Sequence, residues 1–307
     1  MFMDRHPTFA RHLVGFLPYR MVLRLLMTLL VTVLLILLVL ICGLYFYQDA
    51  FIYHPRPYDP ESFGMLLGPA RPVETHTDQG HQVSYYLAPA PDRAPGQLWL
   101  CFGGNASLAL YLRGFMQETP AADTGFLLLE YPGYGRSEGR PDPESIQRAA
   151  DATVYALLGE WGFTLETFPG ELAVFGVSLG TGAGLQWAVR HRVGRVALIS
   201  PFTSMLAMAR RTVGWPLCHL LRHRFNNRAH LAALAPRSDR PAVTIVHGNA
   251  DRIVPFSMGR ALAAEHPEWI QFIRIPGGDH NHLLEVAEAR IHEAMFPAVS
   301  TPHPARR

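Results

Sequence analysis

From Leu25 to Phe46 the chain runs 22 residues without a charge, nearly all of them apolar. As a helix rising about 1.5 Å per residue, that run is roughly 33 Å long, the thickness of a bilayer core. Tyr45, Phe46 and Tyr47 close it with aromatic side chains of the kind that favour a membrane interface. The pattern then shortens. Val73–Thr77 and Gln82–Ala88 flank an Asp78-Gln79-Gly80 turn and predict an antiparallel hairpin. After it, short apolar runs of strand type (Gln97–Phe102, Phe126–Leu129, Glu171–Phe175, Arg195–Ser200, Ala242–Val246, Ile270–Ile275) alternate with helical spacing. That alternation predicts a parallel sheet covered by helices on both faces. The clearest helix opens with Asp142 as N-cap and Pro143 in its first turn. Its apolar positions recur at Ile146, Ala149, Ala150, Val154, Leu157, Leu158 and Trp161, spacing that predicts core packing.

Between Phe202 and Arg240 the alternation breaks. Met205, Leu206, Met208, Val213, Trp215, Leu217, Leu220 and Leu221 are interleaved with Arg210, Arg211, Arg222 and Arg224. Such a stripe suits a packed helical pair with a solvated face, or a cap that shapes an acyl pocket or meets a membrane surface.

Chemistry concentrates after the strand at Glu171–Phe175. Gly176-Val177-Ser178-Leu179-Gly180 places a serine between two glycines at the point where a strand gives way to small-residue helical spacing, Thr181-Gly182-Ala183-Gly184-Leu185. A serine hydroxyl needs a base to take its proton and donors to receive the oxyanion that forms. A sharp strand-to-helix turn exposes Ser178 Oγ at the sheet edge, leaves the Leu179 N–H free to donate, and brings backbones too close for a Cβ at Gly176 or Gly180. In that arrangement the acid and the base follow in chain order. Asp251 ends the strand-and-loop segment Val243-Thr244-Ile245-Val246-His247-Gly248-Asn249-Ala250-Asp251. His280 and His282 follow the strand ending at Ile275 and the glycine pair Gly277-Gly278. Both segments lie past strand C-termini, the edge where open α/β sheets bind ligands. His280, in the loop, is favoured as the base; His282 is expected in the first turn of the last helix and Asp279 as a cap or loop residue. The remaining histidines are read as surface. The loop Gly103-Gly104-Asn105-Ala106-Ser107, followed by helical spacing from Leu108 to Met116, offers the Asn105 N–H as a second oxyanion donor.

The ordered set GGNAS, EYPGYGRSEGRP, GVSLG, HGNADRIVP and GGDHN resembles the α/β-hydrolase superfamily. It is most similar to the small membrane-anchored serine hydrolases of the bud-emergence type, over about residues 45–297. The resemblance implies an α/β-hydrolase fold, with a mostly parallel central sheet and helices on both faces, plus an N-terminal transmembrane helix. It implies Ser178 as nucleophile, Asp251 as acid, His280 as base and Asn105 and Leu179 as oxyanion donors, acting on acyl esters and thioesters of lipids or lipidated proteins. One departure stands out: the His-Gly-Asn-Ala of that branch reads Gly103-Gly104-Asn105-Ala106 here. The loop keeps its backbone donor and loses a side chain that could anchor it.

Composition narrows the rest. The expected organisation is an N-terminal segment (1–20), a membrane anchor (21–47), a hydrolase domain (48–297) with a cap-like insertion at about 202–240, and a tail (298–307). Arg5, Arg11, Arg20 and Arg24 precede the apolar run, whereas Asp49 and then Arg56 follow it. That asymmetry predicts a cytoplasmic N-terminus and a hydrolase domain on the extracytoplasmic, periplasmic side. The run is too long for a signal-peptide core and leads into bulky aromatics, so an uncleaved anchor is expected. Cys42, Cys101 and Cys218 are unclustered, which fits neither a disulfide framework nor a metal site. No cofactor is implied. A net charge of +2 suggests no nucleic-acid partner. All 27 basic residues are arginine, which excludes Schiff-base and Ser–Lys mechanisms. The leading expectation is a serine hydrolase of small-molecule or lipid acyl esters. A peptidase of the same fold and a non-catalytic, membrane-tethered scaffold are the alternatives.

Overall fold

The computed structural model describes residues 18–90, 93–118 and 122–296. The first 17 residues of the expected N-terminal segment, with Arg5 and Arg11, lie outside the described residues, as does the tail at 298–307. The chain divides into two units, Met1–Phe46 and Tyr47–Arg307. In the first, a 28-residue helix, α1 (Tyr19–Phe46), contains no buried residue. It is the one helix among the described residues long and apolar enough to cross a membrane.

The second unit is built on one eight-stranded sheet in the order β1-β2-β4-β3-β5-β6-β7-β8. It opens with two short helices, α2 (Gln48–Ile52) and α3 (Pro60–Leu67). β1 (Arg71–Thr77) and β2 (Gly80–Leu87) form the expected hairpin, and β2 also pairs antiparallel with β4. The other pairings, among β3 (Gln97–Phe102), β4 (Thr124–Leu129), β5 (Glu171–Val177), β6 (Arg195–Ile199), β7 (Ala242–Gly248) and β8 (Ile270–Ile275), are all parallel. β4 is buried at every position, which is what a strand covered on both faces requires.

α5 (Pro143–Glu160) links β4 to β5, and α6 (Leu179–Arg190) links β5 to β6. The start of α5 follows its sequence signal. Asp142 accepts from the Glu144 and Ser145 N–H groups, while Ser145 Oγ returns a bond to the Asp142 N–H. α5, α6, α8 (Asn227–Leu234) and α9 (Phe256–Ala264) share one face of the sheet. Gln147 donates to the Ala183 carbonyl and Asn227 to Thr181 Oγ1, and Arg228 pairs with Glu265. On the other face α4 (Arg113–Gln117) meets α11 (Glu288–Met295), where the Phe115 and His292 rings lie 4.6 Å apart. Trp99, Phe102, Phe175 and Trp187 are fully buried in the core between these layers.

The expected helical stretch Leu108–Met116 is a 3-10 turn (Ala109–Leu112) running into α4, with the Ala109 and Leu110 N–H groups at its start donating to Glu130 and the Tyr58 hydroxyl. The last helix breaks at Ala287 into α10 (Leu283–Val286) and α11, with His282 as the residue that caps α10. The β6–β7 segment carries α7 (Met205–Val213), a 3-10 turn (Leu217–Leu220) and α8. In it, Met205 and Met208 pack on the core and Trp215 faces solvent.

Candidate active site

β3 lies between β4 and β5, so the chain direction across the sheet reverses beside it, and the carboxyl ends of β3 and β5 open a crevice there. Ser178 sits at the end of β5 with φ +51°, in the left-handed region that a side chain with a Cβ seldom occupies. The flanking glycines are steric necessities. A Cβ on Gly180 would stand 2.1 Å from the Phe102 carbonyl oxygen, and one on Gly176 would stand 2.6 Å from the Gly180 oxygen. Only bare backbone lets α6 start so close to the end of β3.

The loops after β7 and β8 bring two further side chains to this point. His280 Nε2 is 3.0 Å from Ser178 Oγ, and His280 Nδ1 is 2.7 Å from Asp251 Oδ2. A carboxylate only accepts, so the ring proton belongs on Nδ1, leaving the Nε2 lone pair to accept from the serine hydroxyl. The Asp251 side chain is wholly buried and the His280 ring nearly so. Asp251 Oδ1 accepts from the Ile253 and Val254 N–H groups at 2.9 and 2.8 Å. Burial alone would push this carboxyl up. The hydrogen bonds from His247 and His280, the His280 charge and the Val254 N–H outweigh it, and Asp251 is held well below the usual carboxylate range. His282 and Asp279 stay apart from this chain. They bond to each other at 3.1 Å, and Asp279 caps the N–H groups of Asn281 and His282.

Two supports of this arrangement are absent from the reading of the sequence. The first is mutual bracing of the loops. The Asn249 N–H donates to the Ile275 carbonyl, the Ala250 N–H donates to Gly278, and Asn249 Oδ1 accepts from the Gly277 N–H. A Cβ on Gly248 would meet the Gly278 oxygen at 2.2 Å. The second is His247, expected at the surface and in fact fully buried, along with His223 and His292. Its Nε2–H donates to the Val254 carbonyl at 3.0 Å and lies 3.4 Å from Asp251 Oδ2. The correction has a simple cause: β7 is an inner strand, so its side chains face helices on both sides. The available signal was a histidine at a strand end, four residues before an acid.

The loop at Gly103–Ser107 borders the serine from the β3 side, and a Cβ on Gly104 would lie 3.8 Å from that of Ser178. Among the described residues, the N–H groups of Asn105 and Leu179 donate to no protein acceptor. The anchoring that the missing histidine put in question comes from elsewhere. Tyr131 donates its hydroxyl to the Gly103 carbonyl at 2.7 Å, and Tyr134 donates to the Asn105 carbonyl at 2.5 Å. Asn105 Nδ2 donates to Ile52, the His54 N–H donates to the Asn105 carbonyl, and Arg56 donates to Ala106. Behind this clamp Glu130 is buried. Burial pushes its carboxyl up to about 8, against opposing bonds from the Tyr58 hydroxyl and the Ala109 N–H. No group of three or more His, Cys, Asp or Glu side chains among the described residues is placed to hold a metal ion.

No protein-family model matches the chain. It is 28% identical over 243 residues to the uncharacterised protein Rv2307c of Mycobacterium tuberculosis, covering 76% of this chain and 80% of that one. It is 24% identical over 207 residues to α/β-hydrolase domain-containing protein 17B of Xenopus tropicalis, covering 67% and 68%. Among solved structures, an α/β-hydrolase from Vibrio vulnificus superposes with a TM-score of 0.59 at 18% identity, over 83% of this chain and 92% of that one. The Pyrococcus furiosus esterase Pf2001 superposes with a TM-score of 0.60 at 13% identity, over 80% and 96%. The chain has the α/β-hydrolase fold, the fold of the α/β-hydrolase superfamily, preceded by one apolar helix.

Proposed function

We propose that this protein is a membrane-anchored serine hydrolase that cleaves carboxylic esters or thioesters with an apolar acyl group. The observation that carries the reading is the continuous contact from Ser178 Oγ through His280 to the buried Asp251, on a serine held at positive φ. Ser178 Oγ bonds to the acyl carbon as its proton passes to His280 Nε2. The carbonyl oxygen, now negative, accepts from the Asn105 and Leu179 N–H groups. Collapse breaks the bond to the alcohol or thiol, which leaves with the proton from His280. Water then attacks the acyl-enzyme by the same route, releasing the acid and restoring Ser178. Asp251 fixes the ring tautomer and stabilises the imidazolium without taking the proton. α1 supplies the anchor, with the N-terminus cytoplasmic and the hydrolase domain outside, the orientation that the arginines preceding the apolar run favour.

The test is labelling of the full-length protein in detergent with a fluorophosphonate probe, paired with turnover of p-nitrophenyl esters of graded chain length. Labelling should vanish in Ser178→Ala, and longer acyl chains should be preferred. Labelling that survives the substitution would remove Ser178 as nucleophile. Turnover of aminoacyl amides in preference to esters would favour a peptidase, and no turnover of any acyl compound a scaffold.

A further inference from the structure

The second unit leaves some of its largest apolar side chains in water: Trp215 is 72% exposed, Phe51 70% and Tyr47 69%. Tryptophan and tyrosine carry a large apolar body with a polar tip, which suits them to a lipid–water boundary. These three side chains belong to two segments far apart in sequence that one side chain joins. Gln48, itself buried, donates from Nε2 to the Leu220 carbonyl at 3.2 Å and accepts the Arg222 N–H on Oε1 at 2.5 Å. Nearby, the Tyr53 ring packs edge-on against His223 at 5.4 Å. Helical spacing sorts the residues around α2. Gln48 and Ile52, four apart, turn toward the domain, while Tyr47 and Phe51, also four apart, turn away from it. Leu217 adds a further exposed apolar side chain beside Trp215.

Charge on the β6–β7 segment is mostly of one sign: from Pro201 to Ser238 it has six arginines (Arg210, Arg211, Arg222, Arg224, Arg228 and Arg237) and no Asp or Glu, while α2 contributes Asp49. Among the described residues, Arg210, Arg211 and Arg224 pair with no carboxylate. Apolar side chains accompanied by unneutralised arginine match a bilayer surface with anionic headgroups, to which apolar area and cationic side chains are drawn together. Chain continuity agrees, because Tyr47 directly follows Phe46, the last residue of α1.

We propose that Tyr47, Phe51, Trp215 and Leu217, with the arginines of the β6–β7 segment, form a lipid-docking surface by which the hydrolase domain rests on the bilayer and takes its acyl substrate from it. This rests on the reading of α1 as a membrane span. The same two segments reach the reaction centre. Ile52 and His54 bond Asn105, and the Phe225 side chain fills the space where Gly182, four residues after Ser178, has no Cβ. These contacts tie the proposed surface to the loop that carries Asn105 and to the helix that follows Ser178. The substrate class that follows is an ester or thioester whose acyl chain resides in a membrane leaflet.

The experiment uses the full-length protein in phosphatidylcholine–phosphatidylglycerol vesicles, with tryptophan fluorescence quenched by headgroup-proximal doxyl lipid. Of the five tryptophans, Trp99 and Trp187 are buried and Trp161 and Trp269 partly so. Quenching should therefore fall by more than half in Trp215→Phe. Carbonate extraction of the same vesicles reports on α1 separately. Protein retained in the pellet with equal quenching in parent and variant overturns the docking surface alone, whereas release of the protein overturns the anchor as well. Trp215 shielded from acrylamide in detergent, increasingly so with protein concentration, would assign the face to a second copy of this chain and also overturn the proposal.

Discussion

At the scale of single residues, the site depends on positions where one atom decides the outcome. Asp251 holds two backbone N–H groups on one oxygen and shares its second oxygen with two histidines, so one oxygen ties down the loop while the other faces His280. In Asp251→Asn the oxygen can still accept from Ile253 and Val254. The amide, however, presents N–H to His280 Nδ1 and forces the ring proton onto Nε2, where it can no longer accept from Ser178. We expect kcat to fall roughly 10⁴-fold with little change in Tm, read by ester hydrolysis and thermal unfolding in detergent. A wild-type rate would mean that His280 does not need Asp251. Gly180→Ala tests packing, because its Cβ would sit 2.1 Å from a backbone oxygen with no flexible side chain to give way. It should cost several kcal/mol and reduce folded yield. A variant that melts like the parent would contradict the close approach of α6 to β3.

At the scale of elements, the Gly103–Ser107 loop is held by groups remote from it in sequence. Tyr134 links the two, accepting the His54 N–H at 2.8 Å while donating to the Asn105 carbonyl. Tyr134→Phe removes both bonds at about 1 kcal/mol each and releases the loop whose N–H is assigned to the oxyanion. A small displacement there should lower kcat about 10- to 100-fold and leave KM nearly unchanged, measured on a soluble short-chain ester. An unchanged kcat would show that the loop holds its place without the tyrosine. This clamp also marks where reading the sequence reached its limit. Strand ends, the α5 cap and the serine turn were legible because each is a local pattern whose signal lies within a few residues. The Tyr131 and Tyr134 anchors, the Asn249–Gly277 brace and the buried His247 were not. Each is defined by a partner 28 or more residues away or by burial on an inner strand, and local periodicity carries no information about either. Sequence likeness pointed to the loop's missing histidine, and only the fold shows what stands in its place.

At the scale of the whole molecule, the clamp has a consequence for stability against pH. Glu130 is buried behind the Gly103–Ser107 loop, and burial raises its carboxyl from 4.5 to about 8. The folded protein therefore holds a proton on this group between those values while the unfolded chain has released it. Below about 4.5 both states are protonated and Glu130 imposes no penalty. As pH rises toward 8 folding must retain a proton that the unfolded chain gives up freely, and stability falls by about 1.4 kcal/mol per unit. The loss approaches the order of 4 kcal/mol by pH 8. In Glu130→Gln the amide oxygen can still accept from the Ala109 N–H, and the Tyr58 hydroxyl, which donates to Glu130 in the parent, can turn so that its oxygen accepts the amide N–H. The variant cannot ionise, so this slope should disappear. Thermal unfolding of parent and variant in detergent from pH 5 to 9 should give curves that nearly meet at pH 5, diverge steadily up to about pH 8 and stay a constant distance apart beyond it, the variant becoming the more stable. Parallel curves across the range would mean that Glu130 is already ionised in the folded protein, with Tyr58 and the Ala109 N–H stabilising its charge more than burial opposes it.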